Sequence, residues 1–262
     1  MTRRRLDAEL VRRNLVASRA AAQEAIASGG VEVNGLVATK AASQVDEGVS
    51  IRLVGEPARF VSRGGLKLEA ALDAFAIDVA GRSALDVGAS TGGFTDCLLQ
   101  RGAARVAAID VGYGQLDWRI RNDPRVEVHE RFNARHLDGA DLGGPFDVVV
   151  ADLSFISLGT VAAAVAAVGA DEADWVVLVK PQFEAGREQV GKGGIVRDVT
   201  VRAETLHNVI EAFRGVGLGA RGVTDSPITG AKGNREFLLW LRRGPATVTA
   251  DDLDHLAGLS DA

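Results

Sequence analysis

Two lysines and two carboxylates lie at points in the 262-residue chain where a charge favours a functional role. Asp152 directly follows the predicted buried strand 146–151, whose last four residues are apolar, and Lys180 directly follows the apolar residues 175–179. An unpaired ion beside buried strands is costly. A single strand-end lysine most often only extends its amine into water, but two charges at adjacent strand ends favour a reactive site. Such groups can transfer protons and hold charge, and the candidate set is Lys67, Asp152, Lys180 and Glu236.

A second candidate site is the glycine-rich segment 86–94, between a predicted strand and a predicted helix. Glycines let the backbone approach a ligand closely, and a helix start offers free N–H groups. Asp110 ends the next predicted strand, where its carboxylate can accept hydrogen bonds from ribose hydroxyls. The glycines at 88, 92 and 93 do not fit the dinucleotide pattern Gly-x-Gly-x-x-Gly. The strand–loop–helix geometry by itself fits a dinucleotide, S-adenosylmethionine or a plain tight turn, and the glycine spacing disfavours the dinucleotide.

The elements that would position these residues alternate between strand and helix from residue 64 onward. Strands are predicted over residues 83–87, 106–110, 146–151, 175–179 and 236–241, and near Val126 and Gly222. Helices are predicted over residues 65–75, 94–101, 158–168 and 202–213. This alternation predicts an α/β fold with a mostly parallel sheet covered on both faces. Ligands of such sheets bind beyond the carboxyl ends of the strands.

The first sixty residues predict a small α+β unit instead. Apolar residues between Leu6 and Val16 recur at near-helical spacing, and Ser18 is the predicted N-cap of a helix over 19–27. Asn34-Gly35 predicts a hairpin turn, and a last strand is predicted over 49–54. Gly-Glu-Pro at 55–57 breaks the pattern. We therefore expect domains over residues 1–56 and 65–262, joined by a linker over 57–64.

Residues 3–54 resemble the S4 domain, a small RNA-binding module. The resemblance is carried by Arg5-Leu6-Asp7, Ser18-Arg19 and residues 25–35 and 45–49. It implies RNA contacts at Arg3, Arg5, Arg19 and Lys40. Arginine can make bidentate contacts to phosphate oxygens, which give salt-sensitive affinity with little sequence information. The charge distribution weakly supports RNA binding by this unit. Residues 1–60 hold nine Lys and Arg against seven Asp and Glu, whereas the whole chain has net charge −5. A solvated arginine-rich helix face is the alternative.

The order Lys67, Asp152, Lys180, Glu236 resembles the catalytic tetrad of FtsJ-like ribose 2'-O-methyltransferases. The whole chain resembles the TlyA family, also called hemolysin A, in which an S4 domain precedes such a methyltransferase domain. The resembling segments are 61–68, 86–96, 110–116, 133–135, 152–158, 180–184 and 191–198. The resemblance implies a Rossmann-like class I fold that uses S-adenosylmethionine. The implied reaction is 2'-O-methylation of cytidine ribose in 16S or 23S ribosomal RNA.

The resemblance also implies roles for individual residues. Lys180 is the expected base, because a ribose hydroxyl is a poor nucleophile until its proton is removed. Burial and the neighbouring Lys67 would favour the neutral amine, while Asp152 and Glu236 would hold the two lysines in position. The expected cofactor contacts are Asp86, Gly88, Ser90, Gly92, Gly93, Phe94, Asp110, Asn133 and Asp152.

Composition limits the other possibilities. A lone cysteine, Cys97, excludes an intrachain disulfide, and the four histidines lack metal-ligand spacing, so we expect no metal. The longest apolar stretch, residues 161–170, is too short to span a membrane, and no signal peptide is visible, which predicts a cytoplasmic protein. We expect a monomer acting on ribosomal subunits. The alternatives are a pore-forming hemolysin, an inactive RNA-binding module and a small-molecule methyltransferase.

Overall fold

The computed structural model describes residues 3–16, 18–27, 29–54 and 58–259. The Gly-Glu-Pro break at 55–57 therefore lies outside the described residues. Its last residue, Pro57, is also the first residue of the predicted linker. Within the described ranges, no helix is both long and apolar enough to cross a bilayer.

The N-terminal unit is a small α+β arrangement around one core. Its elements are β1 (Arg4–Arg5), α1 (Leu6–Arg12), α2 (Arg19–Ala27), β2 (Val31–Val33), β3 (Leu36–Val37), β4 (Gln44–Val45) and β5 (Ile51–Leu53). The predicted α2 and its cap are confirmed, since Ser18 Oγ accepts a hydrogen bond from Ala21 N at 3.1 Å. The hairpin is also confirmed, with positive φ of 51° at Asn34 and 80° at Gly35, as a type I' turn requires.

Two details of this unit differ from the sequence prediction. The first helix ends at Arg12, and Leu15 and Val16 pack against the core from the loop that follows. The two-residue strands β1 and β4 pair with each other, a feature too short to leave a periodic pattern.

The larger unit contains a seven-stranded sheet in the order β11-β12-β10-β9-β6-β7-β8. Its strands are β6 (Ser83–Val87), β7 (Arg105–Asp110), β8 (Val126–Glu130), β9 (Phe146–Ala151), β10 (Gly169–Val179), β11 (Leu218–Asp225) and β12 (Phe237–Arg243). The five strands β6 to β10 pair in parallel, whereas β12 pairs antiparallel with both β10 and β11. The predicted α/β class and mostly parallel sheet are thus confirmed.

Helices cover both faces of this sheet. They are α3 (Gly64–Ala74), α4 (Gly93–Gln100), α5 (Trp118–Arg121), α6 (Leu158–Ala167), α7 (Pro181–Glu184), α8 (Val199–Arg214) and α9 (Ala250–Ala257). Successive residues of the central strands belong to two different cores: Val148 and Val150 to one, Val149 and Ala151 to the other. A strand buried on both faces reads as an unbroken apolar run, which explains why these strands were predictable.

The topology brings the candidate residues to one edge of the sheet. Asp152 and Lys180 directly follow the parallel neighbours β9 and β10. β12 runs the opposite way, with Phe237 opposite Val179, so Glu236 at its start lies at the same edge. The alternating pattern predicted only a mostly parallel sheet and contained no sign of this reversal.

Candidate active site

A cavity of about 730 Å³ opens at the carboxyl edge of the sheet, and all four tetrad candidates line it. Lys67 reaches it from α3, and the other three from the ends of β9 and β10 and the start of β12. The volume lies within the range of small-molecule and cofactor sites.

The four residues form two ion pairs. Lys67 Nζ lies 2.5 Å from Glu236 Oε2, and Lys180 Nζ lies 2.5 Å from Asp152 Oδ1. Both ammonium groups are largely buried, with side-chain exposures of 11% and 10%. Removal of one partner would leave a buried charge uncompensated, which is strongly destabilising.

A serine that the sequence reasoning did not single out also holds Lys180. Ser154 Oγ accepts a hydrogen bond from Lys180 Nζ at 2.9 Å, and Ser154 lines the cavity. The approach of Nζ to Asp152 Oδ1 is an ion-pair contact that falls outside hydrogen-bond angles. The only signal in the sequence was the position of Ser154 inside the resembling segment 152–158.

Gly230 makes room for Glu236. A Cβ at residue 230 would lie 2.0 Å from Glu236 Oε1, far inside van der Waals contact. Gly230 has an ordinary φ of −64°, so space and not backbone conformation requires a glycine there. This residue was also missed, because one glycine in a loop carries no distinctive pattern.

The glycine loop curves through positive φ angles at Gly88, Ser90 and Gly92. Asp110 supports it: Oδ2 accepts from Ser90 N at 2.8 Å, and Oδ1 accepts from Gly112 N at 2.6 Å. Asp110 borders a smaller hollow that shares Ser90 with the main cavity. Its carboxylate thus fixes the loop beside the place where a ribose is expected.

The other predicted cofactor contacts fall into two groups. Five line the main cavity: Gly88, Ser90, Gly93, Phe94 and Asp152. Gly92 instead is the N-cap residue that precedes α4, and a Cβ there would lie 2.9 Å from Leu116 Cδ1. Asn133 is exposed, caps a short 3₁₀ helix by accepting from Arg135 N at 3.0 Å, and borders neither hollow. The roles of these residues stay predictions.

Asp86 lies beneath the loop and is completely buried. Burial raises the pKa of Asp86 to about 7, partly offset by a hydrogen bond that Thr95 Oγ1 donates to Oδ2 at 2.6 Å. The other oxygen, Oδ1, has no hydrogen-bond donor within the described residues. An orphaned buried carboxylate oxygen is costly to a fold and commonly marks a functional site.

An aromatic rim borders the cavity. Phe155 is 91% exposed and adopts a left-handed φ of 65°, a strained conformation for a bulky residue. Its ring centroid lies 5.1 Å from that of Phe183, and Lys180 Nζ lies 5.8 Å from the centroid of Phe183. The basic residues Arg63 and Lys232 line the same cavity. Such a rim suits a planar, negatively charged substrate.

In the N-terminal unit, buried carboxylates hold exposed arginines. Asp7 accepts from Arg5 at 3.0 and 2.9 Å, from Arg19 at 3.0 Å and from Gln23 at 3.1 Å. These donors hold the pKa of Asp7 well below its usual range. The sequence reasoning identified Arg5 and Arg19 but missed the acid that orients them.

The other two predicted RNA contacts, Arg3 and Lys40, are not held by a buried carboxylate in the described residues. Arg3 pairs with Asp46 at 3.2 Å on the surface, and Lys40 is exposed and makes no ion pair with any described carboxylate. A second buried acid, Glu9, binds Arg12 and Arg13, and these two guanidinium groups lower the pKa of Glu9 to about 2.

Comparison with known proteins agrees with this geometry. Residues 60–243 match the FtsJ-like methyltransferase family, and residues 4–51 match the S4 domain. A 16S/23S rRNA (cytidine-2'-O)-methyltransferase, TlyA of Mycobacterium tuberculosis, is 54% identical over 241 residues, covering 92% of this chain and 90% of that protein. Hemolysin A of Brachyspira hyodysenteriae is 43% identical over 89% of this chain and 98% of its own.

A solved structure, described as that of a candidate hemolysin from Streptococcus thermophilus, is also similar. It matches with a TM-score of 0.80 and 39% identity, covering 100% of this chain and 96% of that one. The chain therefore belongs to the TlyA, or hemolysin A, family of methyltransferases, with an S4 domain and an FtsJ-like domain.

Proposed function

We propose that this protein transfers a methyl group from S-adenosylmethionine to the 2'-hydroxyl of a cytidine in 16S or 23S ribosomal RNA. The observation that carries the proposal is the meeting of two lysine–carboxylate pairs in one cavity beside the glycine loop. The name of the M. tuberculosis relative supports the substrate.

The cavity fits S-adenosylmethionine by its own chemistry. The orphaned Oδ1 of Asp86 could accept from a cationic amine, and the loop at Gly88 and Ser90 offers backbone close to a ligand. Asp110 would accept from ribose hydroxyls, either with or in place of its present backbone donors. We assign the cofactor to these residues together with Gly93, Phe94 and Asp152.

Bound S-adenosylmethionine supplies an electrophilic methyl group on a sulfonium. Lys180, as the neutral amine, would take the proton from the ribose 2'-hydroxyl and so make its oxygen a nucleophile toward that methyl group. Asp152 stabilises the ammonium that forms on Lys180 Nζ. Lys67, held by Glu236, adds positive charge near the oxygen as it becomes a nucleophile. Largely buried pairs restrict motion, so positioning contributes alongside basicity.

RNA binding is assigned to Arg3, Arg5, Arg19 and Lys40. All four are exposed, and the arginine carboxylate partners leave part of each guanidinium facing water. Further exposed cations without a described carboxylate partner lie in the segments that border the cavity: Arg187, Lys192, Arg197 and Lys232. The S4 unit would hold the RNA while the cavity receives one nucleotide.

Several further assignments belong to the same proposal. We assign the RNA-binding domain to residues 1–56, the linker to 57–64 and the methyltransferase domain to 65–262. The enzyme would act as a monomer in the cytoplasm, where its ribosomal substrate is found.

The test is transfer of a radioactive methyl group to unmodified 30S and 50S subunits and to total RNA, followed by reverse-transcription mapping at low nucleotide concentration. The expected result is label on ribosomal RNA with a stop at a single cytidine in each modified RNA. No label on any RNA, with S-adenosylmethionine binding intact, would contradict the proposal. Lysis of red cells by the pure protein would support the hemolysin alternative.

A further inference from the structure

We propose that Ser154 is a positioning residue that orients the amine of Lys180 toward the ribose hydroxyl. This inference rests on the proposed function and deepens it. Ser154 Oγ is the hydrogen-bond acceptor for Lys180 Nζ, at 2.9 Å, whereas the contact with Asp152 Oδ1 is an ion pair outside hydrogen-bond angles. A charge contact attracts Nζ without fixing its rotation, but a hydrogen bond directs one N–H.

The direction of that N–H decides where the lone pair of a neutral amine points. A neutral lysine amine has two N–H groups and one lone pair in a tetrahedral arrangement. When Ser154 accepts one N–H and Asp152 attracts the other, the lone pair takes the remaining direction. Ser154, Asp152 and Lys180 all line the cavity that receives the substrate. The serine thereby reduces the rotational freedom of Nζ before the hydroxyl arrives.

The same hydrogen bond influences the protonation of Lys180. An acceptor binds a charged ammonium more strongly than a neutral amine. The charged groups nearest to Nζ are Asp152, which pairs with it, and across the cavity Lys67 on α3, which pairs with Glu236 at the start of β12. The ring of Phe183 on α7 lies 5.8 Å from Nζ and also favours the cation. Loss of the serine hydroxyl shifts this balance toward the amine.

The test compares Ser154→Ala and Ser154→Thr with the wild type in single-turnover methyl transfer from pH 5 to pH 9. We expect the alanine variant to lose about tenfold in rate at saturating RNA and cofactor. We also expect the acid limb of its pH profile to move to lower pH, because the hydroxyl that binds the ammonium is gone. The threonine variant keeps the hydroxyl and is expected to restore both quantities.

Ser157→Ala is the matched control in the same loop. Ser157 Oγ hydrogen-bonds to Glu184 at 2.7 Å and caps α6, so its loss removes a structural contact but none with Lys180. We expect that variant to keep the acid limb of the wild type. A shared shift in both alanine variants would mean that the loop moves as a whole and would overturn the proposal.

A direct titration of Lys180 gives a readout that does not depend on turnover. The side-chain signal of ¹³C-labelled lysine, assigned by its absence in Lys180→Arg, is followed against pH in wild type and Ser154→Ala. A lower midpoint in the alanine variant supports the proposal. An unchanged midpoint and unchanged rate, with an active wild type, would overturn this inference alone, whereas a wild type that methylates no RNA would overturn the proposed function.

Discussion

The S4 unit and the catalytic cavity both bind cations with carboxylates, but they differ in how far the cation is buried. In the S4 unit the acid is buried and the arginines are open, with side-chain exposures of 43% for Arg5 and 57% for Arg19. In the cavity the lysines themselves are about 10% exposed. An exposed guanidinium can still contact a phosphate from outside. A buried lysine acts only on a group that enters the cavity.

This difference separates holding the RNA from modifying it. Changes in the S4 unit should alter affinity and its salt dependence, whereas changes in the cavity should alter the rate at saturating RNA.

Removal of the proposed base is expected to have the largest effect. Lys180→Ala should reduce the single-turnover rate by about 10²- to 10⁴-fold, the usual contribution of a general base. RNA affinity, measured by filter binding, should stay within a few fold of wild type. A variant that still turns over at more than a tenth of the wild-type rate would contradict the role of Lys180.

Displacement of Glu236 should reduce the rate less. Gly230→Ala puts a methyl group where the Glu236 carboxylate lies, so the pair with Lys67 must shift. We expect a loss of roughly 10²-fold in rate, as for a misplacement of about 1 Å. Gly159→Ala is the control, because a Cβ there meets only ordinary contacts at 3.5 Å or more. Equal rates in the two variants would contradict the tetrad.

Removal of an S4 arginine should act on binding alone. Arg19→Ala leaves Asp7 paired with Arg5, so the unit should remain folded. We expect RNA affinity to fall roughly 3- to 10-fold and the salt slope to decrease by about 1. Arg214→Ala, which removes an exposed arginine paired with Glu211 on α8, should change neither quantity. An unchanged salt slope in Arg19→Ala would remove Arg19 from the RNA surface.

Substitution of Asp86 is expected to have the smallest effect. Unlike the carboxylates of the S4 unit and of the tetrad, Asp86 is a buried carboxylate that is not paired with a described cation. Because burial raises its pKa to about 7, the ionised group destabilises the fold increasingly as pH rises from about 4 through 7. Asp86→Asn should therefore raise Tm at pH 8 by about 2–4 °C but not at pH 4. Calorimetry should also find weaker S-adenosylmethionine binding. Unchanged cofactor affinity would mean that Asp86 only supports the loop.

Much of the fold was predictable because its strands carry strong local signals. The strands ending at Val87 and Ala151 were predicted with their observed bounds, since strands buried on both faces are mostly apolar: the first has only Ser83 and Asp86 as polar residues and the second only Asp147. α5, α7 and α9 were missed, and α7, like α5, is only one turn long. α9 is capped by Thr249 with Asp252, a local signal that the alternating pattern did not require.

The residues of the site likewise divide into those that the sequence could predict and those that it could not. Lys180 and Asp152 could be found because a charge follows an apolar run. Ser154 and Gly230 could not, because their importance depends on which side chain lies beside them in space. The role of the buried Asp7 likewise depends on the fold, which brings Arg5, Arg19 and Gln23 to its carboxylate.

The division between holding and modifying is tested most directly by single-turnover methyl transfer to ribosomal subunits as a function of subunit concentration. The comparison needs wild type, Arg19→Ala and Lys180→Ala. We predict that Arg19→Ala reaches the wild-type rate at saturating subunits, whereas Lys180→Ala stays at least 10²-fold slower at every concentration. A Lys180→Ala rate that recovers with concentration, or an Arg19→Ala rate that never does, would contradict the account.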